Sequence, residues 1–132
     1  MAKILVADDE PTILQFCVFA LEREKHTVTT ADTGPDTYVK LKDEKPDLLI
    51  LDVMLPGMDG YTLQLQMSED ESLFRIPVIV VSALKPALSL FAKFAQVSSF
   101  LAKPFPAEDL ITAVNKALSD DRIKELKYHP YM

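Results

Sequence analysis

Five polar side chains, each at or near the end of an apolar run, are the residues of this sequence best suited to carry chemistry. They are Asp8, Asp9, Asp52, Ser82 and Lys103. The stretch LLILDVMLPGMDG shows the pattern, because an apolar run fit for a buried strand delivers one carboxylate, Asp52, into a turn rich in Pro and Gly. Three carboxylates gathered in a cleft of low dielectric repel one another, so such a group requires a cation or a raised pKa.

A hard divalent cation would meet that requirement, because Mg²⁺ prefers oxygen ligands and is usually held by one or two carboxylates. Asp9 and Asp52 could supply carboxylate ligands, and Asp8 could act through a water molecule. The backbone carbonyl of Met54, two residues after Asp52, could complete the set. The sequence therefore predicts a Mg²⁺ site, with Mn²⁺ as the alternative ion.

Asp52 could act as a nucleophile toward phosphorus once its charge is offset, since carboxylates form aspartyl-phosphates in covalent catalysis. Lys103 could then pair with one oxygen of the transferred group, and the Ser82 hydroxyl could donate a hydrogen bond to another. Both contacts would disperse the charge that a transferred phosphoryl group spreads over its oxygens. The pattern indicates a phosphoryl acceptor at Asp52, assisted by Lys103 and Ser82.

Five short apolar runs supply the strands that would bring these side chains together. A run that is apolar at successive positions suits a parallel sheet covered on both faces. The predicted strands are residues 3–7, 27–31, 47–51, 77–81 and 99–102. Segments with a helical period lie between them, most clearly at 11–24 and at 107–118, and more weakly at 36–42, 61–67 and 87–95.

Strands that alternate with helices predict an α/β fold, a doubly wound five-stranded parallel sheet with right-handed crossovers and five flanking helices. We predict the flavodoxin-like strand order 2-1-3-4-5. In sheets of this kind, sites form beyond the carboxyl ends of the strands. The candidate residues follow the first, third, fourth and fifth strands, so the fold would gather them at one edge.

The length of 132 residues and the hydrophobic content of 48% predict one domain, residues 1–119, followed by a tail or helix extension at 120–132. A net charge of −6 opposes direct binding to nucleic acid. Cys17 is the sole cysteine, which excludes an internal disulfide and favours a small buried hydrophobe. The sequence has no apolar run long enough for a membrane span or a secretory signal, which predicts a cytoplasmic protein.

Four fragments of the sequence resemble the receiver domain of two-component response regulators. They are DDEP from Asp8, DVMLPGMDG from Asp52, VSA around Ser82 and FLAKPF around Lys103, and the resemblance runs from Lys3 to roughly Leu118. It implies a signalling phosphoprotein of the phosphorelay type, in which Asp52 takes a phosphoryl group from a sensor histidine kinase or a histidine phosphotransfer protein with Mg²⁺ required. It also implies that the domain is not an enzyme toward other molecules and catalyses only its own phosphorylation and dephosphorylation.

The resemblance further implies a switch. Ser82 would move onto the phosphoryl group and Phe100 would turn inward, which changes a surface formed by the fourth helix, fifth strand and fifth helix. That surface would regulate an effector protein, or support a homodimer that depends on phosphorylation. Ser82 and Phe100 stand where Thr and Tyr are frequent, and AKFAQVSSF lacks the Gly that usually ends the fourth helix, so the exit from that helix departs from the family.

Two further pairs of residues carry expectations, the first from the resemblance and the second from the apolar arc of the first helix. Met54 and Leu84 occupy the positions that modulate phosphoryl lifetime, and neither side chain can orient an attacking water. On the first helix, at least one of Phe16 and Phe19 should face water, either as a scattered apolar residue or as a face for the partner protein.

Several alternatives stay open at this stage. Asp8 and Asp9 taken alone would be helix caps. A degenerate receiver that binds partners independently of phosphorylation is the main alternative function. An independent phosphatase would normally need an acid at Met54, and a flavin carrier needs a neutral loop after the first strand, so both are disfavoured. The chain would be either a stand-alone receiver or one part of a longer protein.

Overall fold

The computed structural model describes residues 1–129. Its sheet has five parallel strands. The strands are β1 (Lys3–Ala7), β2 (Thr27–Ala31), β3 (Leu48–Asp52), β4 (Val78–Ser82) and β5 (Val97–Ala102). Their spatial order is β2-β1-β3-β4-β5. The predicted fold class and strand order are therefore confirmed, with strand bounds that differ from the prediction by two residues at most.

Helices cover both faces of the sheet. They are α1 (Pro11–Arg23), α2 (Gly34–Glu44), α3 (Gly60–Ser68), α4 (Lys85–Leu88), α5 (Ala107–Leu118) and α6 (Asp121–Lys124), with a 3₁₀ turn at Ser89–Phe91. Successive residues of β3 point to opposite faces, so Leu49 joins the core under α2 and α3 while Ile50 joins the core under α1 and α5. This two-sided burial explains why the central strands are apolar at consecutive positions.

The fourth helix is the element for which the sequence prediction was wrong. We predicted a helix at 87–95, but α4 starts two residues earlier, with Pro86 in its first turn, and ends at Leu88. Phe91 and Phe94 both enter the core. The Gln96 side chain donates to the carbonyls of Leu73 (3.1 Å) and Ile76 (2.8 Å), which ties the connection to the loop before β4. Because of these tertiary contacts, the helix ends at Leu88 and β5 begins at Val97, two residues before the predicted start of that strand.

Residues 120–129 fold back onto the domain. Asp120 caps α6, with its Oδ1 accepting from the Ile123 amide at 3.3 Å, so α6 is separate from α5. Arg122 donates to the carbonyl of Ala95 at 2.6 Å, and Tyr128 donates to the carbonyl of Glu69 at 2.7 Å. The division of the chain at residue 119 stays a prediction, and the last three residues of the predicted tail lie outside the described residues.

Ile123 anchors this tail, because its side chain is 0% exposed. We expect Ile123→Ala to lower the free energy of unfolding by about 2–4 kcal/mol, since it opens a cavity in a packed interior. Urea denaturation checks this, with Val39→Ala as the matched control on a side chain that is 54% exposed. A loss for Ile123→Ala no larger than that of the control would contradict the docking of α6.

Candidate functional site

Four carboxylates gather at the carboxyl edge of β1 and β3. Asp8 follows β1 directly, Asp9 and Glu10 continue toward α1, and Asp52 is the last residue of β3. One oxygen from each lies within 4.8 Å of the others, which is the spacing of ligands around a single ion. Because β1 and β3 are parallel neighbours, their ends meet, and the predicted convergence of Asp8, Asp9 and Asp52 is confirmed.

Lys103 reaches into this acidic group from the end of β5. Its Nζ lies 2.8 Å from Asp8 Oδ2, 2.8 Å from Glu10 Oε1 and 3.2 Å from Asp52 Oδ2. Its backbone amide donates to the carbonyl of Ser82 at 2.9 Å, which holds the start of the loop beside β4. An ammonium has three hydrogens, so the three carboxylates can use all of them.

Burial sets the protonation chemistry of the site. Asp52 is 4% exposed, and desolvation raises its pKa to about 6, with repulsion from Asp8 adding to the rise. The Met54 amide, which donates to Asp52 Oδ1 at 3.1 Å, and the charge of Lys103 pull this pKa back down. Burial opposes the charge of Lys103, but its bonds to the carboxylates outweigh this and raise the Lys103 pKa. Asp52 is therefore mainly ionised at neutral pH.

The donor set fits a hard divalent cation. Four carboxylates offer oxygen ligands of the kind that Mg²⁺ takes, while Lys103 alone offsets only one of their charges. Asp9 and Glu10 are exposed, so an ion would have access from solvent. The Met54 amide donates to Asp52 Oδ1, which holds the backbone of Met54 close to Asp52. The Met54 carbonyl is the backbone ligand that the sequence predicts.

The turn after β3 explains how Asp52 is held. Gly57 has φ +85°, a left-handed conformation that favours Gly. A Cβ on Gly60 would lie 3.0 Å from the carbonyl oxygen of Asp52 and 2.8 Å from the Cα of Val53, so a side chain there would push the turn away. The Gly60 amide donates to the Val53 carbonyl at 2.8 Å. The Pro and Gly turn noted in the sequence thus fixes the acid at the end of its strand.

Ser82 and Phe100 lie on β4 and β5. Ser82 is 0% exposed and ends β4, the strand next to β3, and its Oγ accepts from the Leu84 amide at 2.9 Å. Phe100 is 40% exposed, so its ring is partly turned toward solvent. Met54 and Leu84 are also exposed, at 61% and 57%. The roles of these four residues stay predictions.

The first helix separates its two phenylalanines. Phe19 is 66% exposed, whereas Phe16 is partly buried and meets Phe105 edge to face at 5.9 Å. The exposed member is thus Phe19, and its use as a partner face stays a prediction. Cys17, on the opposite side of α1, is buried as expected, and desolvation raises its thiol pKa to about 12.

Glu10 is the site residue that the sequence prediction missed. It appeared only as part of the DDEP fragment and was given no contact, yet its carboxylate lies 2.8 Å from Lys103 Nζ. A third consecutive acid directly after two predicted ligands was the available signal.

Within residues 1–129, no helix has the length and apolar character needed to cross a membrane.

The comparisons with known proteins agree on one family. A family model described as "Response regulator receiver domain" matches residues 4–115. The chain is 32% identical to Protein PilH of Pseudomonas aeruginosa over 90% of this chain and 99% of that protein. It is 36% identical to the alkaline phosphatase synthesis transcriptional regulatory protein PhoP of Bacillus subtilis, over 83% of this chain and 41% of PhoP. A crystal structure of a response regulator from Chloroflexus aurantiacus superposes with a TM-score of 0.81 at 28% identity, covering 89% of this chain and 98% of that one.

Proposed function

The chain belongs to the response regulator receiver family, and from that premise we propose that Asp52 accepts a phosphoryl group from the phosphohistidine of a sensor histidine kinase or histidine phosphotransfer protein. The observation that carries this proposal is the position of Asp52. It is a buried carboxylate 3.2 Å from a lysine ammonium, inside a group of acids that suits a divalent cation. Such a carboxylate can attack phosphorus with one oxygen and bind the divalent cation with the other.

The transfer would form one bond and break one. An Asp52 oxygen attacks phosphorus, the bond between phosphorus and the donor imidazole nitrogen breaks, and that nitrogen keeps the electron pair. Lys103 would donate to an oxygen of the transferred group, where charge develops. Mg²⁺ bound by Asp8, Asp9, Asp52 and the Met54 carbonyl would offset the charge on the phosphoryl oxygens.

Phosphorylation would reach the surface through Ser82 and Phe100. The Ser82 hydroxyl can donate to a phosphoryl oxygen, and the Phe100 ring, which is 40% exposed, would turn inward. We propose that this alters the face formed by α4, β5 and α5, which binds an effector protein or a second copy of the chain. The domain would act in the cytoplasm and catalyse only its own modification.

Radiolabelled acetyl phosphate tests the proposal. We expect label on the native protein with Mg²⁺ and none with EDTA, and no label on Asp52→Asn in either condition. Asp43→Asn removes an exposed acid from α2 and serves as the matched control, which should label as the native protein does. Labelling of Asp52→Asn, or a native protein that takes no label with Mg²⁺ present, would overturn the proposal.

A phosphorylation-independent receiver is the second candidate, and the short α4 favours it. The helix that normally contributes to the switching face has four residues here, and the Gln96 contacts hold its exit. Binding of an effector that is the same with and without label on Asp52 would support this candidate. A difference in binding between the two forms would support the switch.

Phosphoryl lifetime gives a separate prediction. Met54 has a side chain that is 61% exposed and carries no group able to position a water molecule for attack on phosphorus. We expect Met54→Asn to shorten the lifetime of label on Asp52 by up to about tenfold, the equivalent of one new hydrogen bond to that water. Release of inorganic phosphate after removal of the donor measures it. Leu65→Asn, on an exposed position of α3, is the control, and an equal lifetime in all three proteins would refute the prediction.

A further inference from the structure

Lys103 has a crowded set of acceptors. Lys103 Nζ donates hydrogen bonds to Glu10 and Asp52 and forms an ion pair with Asp8 at 2.8 Å, so a phosphoryl oxygen that approaches Lys103 competes with carboxylates that already surround its ammonium. We propose that Glu10 is a positioning residue that competes with the incoming phosphoryl group for Lys103 and so slows phosphorylation of Asp52. This inference rests on the proposed function.

Glu10 is the acceptor that can leave at least cost. Its side chain is 55% exposed, whereas that of Asp8 is 3% exposed. Water can replace Lys103 at an exposed carboxylate, but a buried carboxylate that loses its partner stays unsolvated. Asp8 is further restrained because its Oδ1 accepts from the Glu10 amide at 2.9 Å.

The backbone of Glu10 is fixed while its carboxylate is committed to Lys103. Glu10 precedes Pro11, which favours extended backbone, and its φ of −94° and ψ of 111° agree. Its carbonyl accepts from the amides of Ile13 (3.0 Å) and Leu14 (3.1 Å), so it stands at the N-cap of α1. In the described part of the chain, the Glu10 side chain makes no capping hydrogen bond to an amide of α1. Its carboxylate lies 2.8 Å from Lys103 Nζ instead.

Competition differs from a simple charge effect in one respect. Any acid near the site repels an anionic phosphodonor, and that repulsion depends on charge and distance alone. Competition requires contact with Lys103 Nζ, which lies 2.8 Å from Glu10 Oε1. Glu10→Asp keeps the charge but shortens the side chain by one methylene, which breaks the contact. Glu10→Gln keeps the length and removes the charge.

The rate of labelling by acetyl phosphate with Mg²⁺ separates the two explanations. Competition predicts that Glu10→Asp and Glu10→Gln both label faster than the native protein, by about two- to fivefold, the range of an exposed ion pair. Glu22→Asp, an exposed change on α1, should label at the native rate. A native rate for Glu10→Asp with a faster Glu10→Gln would identify charge repulsion and overturn the inference. A slower Glu10→Asp would overturn it too, by showing that Glu10 holds Lys103 in a productive position.

A second measurement does not depend on phosphorylation. NMR of the ¹⁵N-labelled lysine Nζ groups, without any phosphodonor, should show a changed Lys103 signal in Glu10→Asp and an unchanged one in Glu22→Asp. An unchanged Lys103 signal in Glu10→Asp would refute the contact itself. If the native protein takes no label but the Lys103 signal changes, the proposed function fails while the contact stands. If the native protein labels and Glu10→Asp labels equally fast, only the competition fails.

Discussion

Asp52→Asn is expected to stabilise the metal-free protein by about 3 kcal/mol near pH 7, although it removes the proposed phosphoryl acceptor. Burial raises the pKa of Asp52 to about 6, above the value of about 3.9 for an unfolded aspartate. A raised pKa in the folded state means that the folded chain holds this proton more tightly. The stability that Asp52 contributes is therefore complete below about pH 4 and is lost as the pH rises through 6. Asn has no charge to desolvate and avoids the loss.

Urea unfolding in EDTA at about pH 4 and about pH 7 checks this expectation. The difference between native protein and Asp52→Asn should be large at the higher pH and small at the lower. Asp43→Asn, exposed on α2, should show neither effect. Equal stability of native protein and Asp52→Asn at about pH 7 would mean that Lys103 fully offsets the charge of Asp52, and the expectation would be wrong.

Divalent cations should reverse the order of stability. An ion that binds the folded protein and not the unfolded chain stabilises by mass action, and the proposed ligands are carboxylates gathered within 4.8 Å of one another. Mg²⁺ should therefore stabilise the native protein more than Asp52→Asn, which lacks one carboxylate. These two results together would show that Asp52 lowers the stability of the metal-free fold, as expected of a residue kept for a site and not for stability.

The sheet could be predicted from the sequence because its information is local. Each central strand is a short apolar run that ends in a polar residue, and parallel pairing follows from the intervening helices. The rule that sites form at the carboxyl ends of parallel strands then placed Asp8, Asp52 and Lys103 together without any knowledge of side-chain contacts. The strands, their parallel pairing and the position of the site were all predicted from the order in which apolar runs and helical segments alternate. A sequence shows that order directly.

The missed features depend on contacts between distant parts of the chain. The early end of α4 follows from burial of Phe91 and Phe94 and from the bonds of Gln96 to the loop before β4. The Glu10 contact joins residues that are 93 positions apart, and an exposed acid before a proline looks like an ordinary helix start. The spacing of apolar residues along the sequence indicates neither the early end of α4 nor the contact between Glu10 and Lys103.

Lys103→Met should be the most destabilising change at the site, with an expected loss of about 3–4 kcal/mol near pH 7. Asp8 and Asp52 are 2% and 4% exposed, and removal of Lys103 leaves both buried carboxylates without their shared cation. The pKa of Asp52 would then rise further, so the loss should shrink as the pH falls and Asp52 takes up a proton. Lys124→Met breaks an exposed contact of 4.0 Å to Asp121 and should cost less than about 1 kcal/mol.

A double variant shows whether the loss comes from the buried acids or from packing of the lysine stem. If unpaired charge is the cause, Asp52→Asn removes one of the two carboxylates and should recover part of the loss, so the two changes are not additive. If packing is the cause, the loss from Lys103→Met is the same in both backgrounds and does not depend on pH. Urea unfolding of the four proteins at about pH 4 and about pH 7 separates these outcomes. A loss that is equal at both pH values would show that Lys103 does not act as the cation of the acidic group.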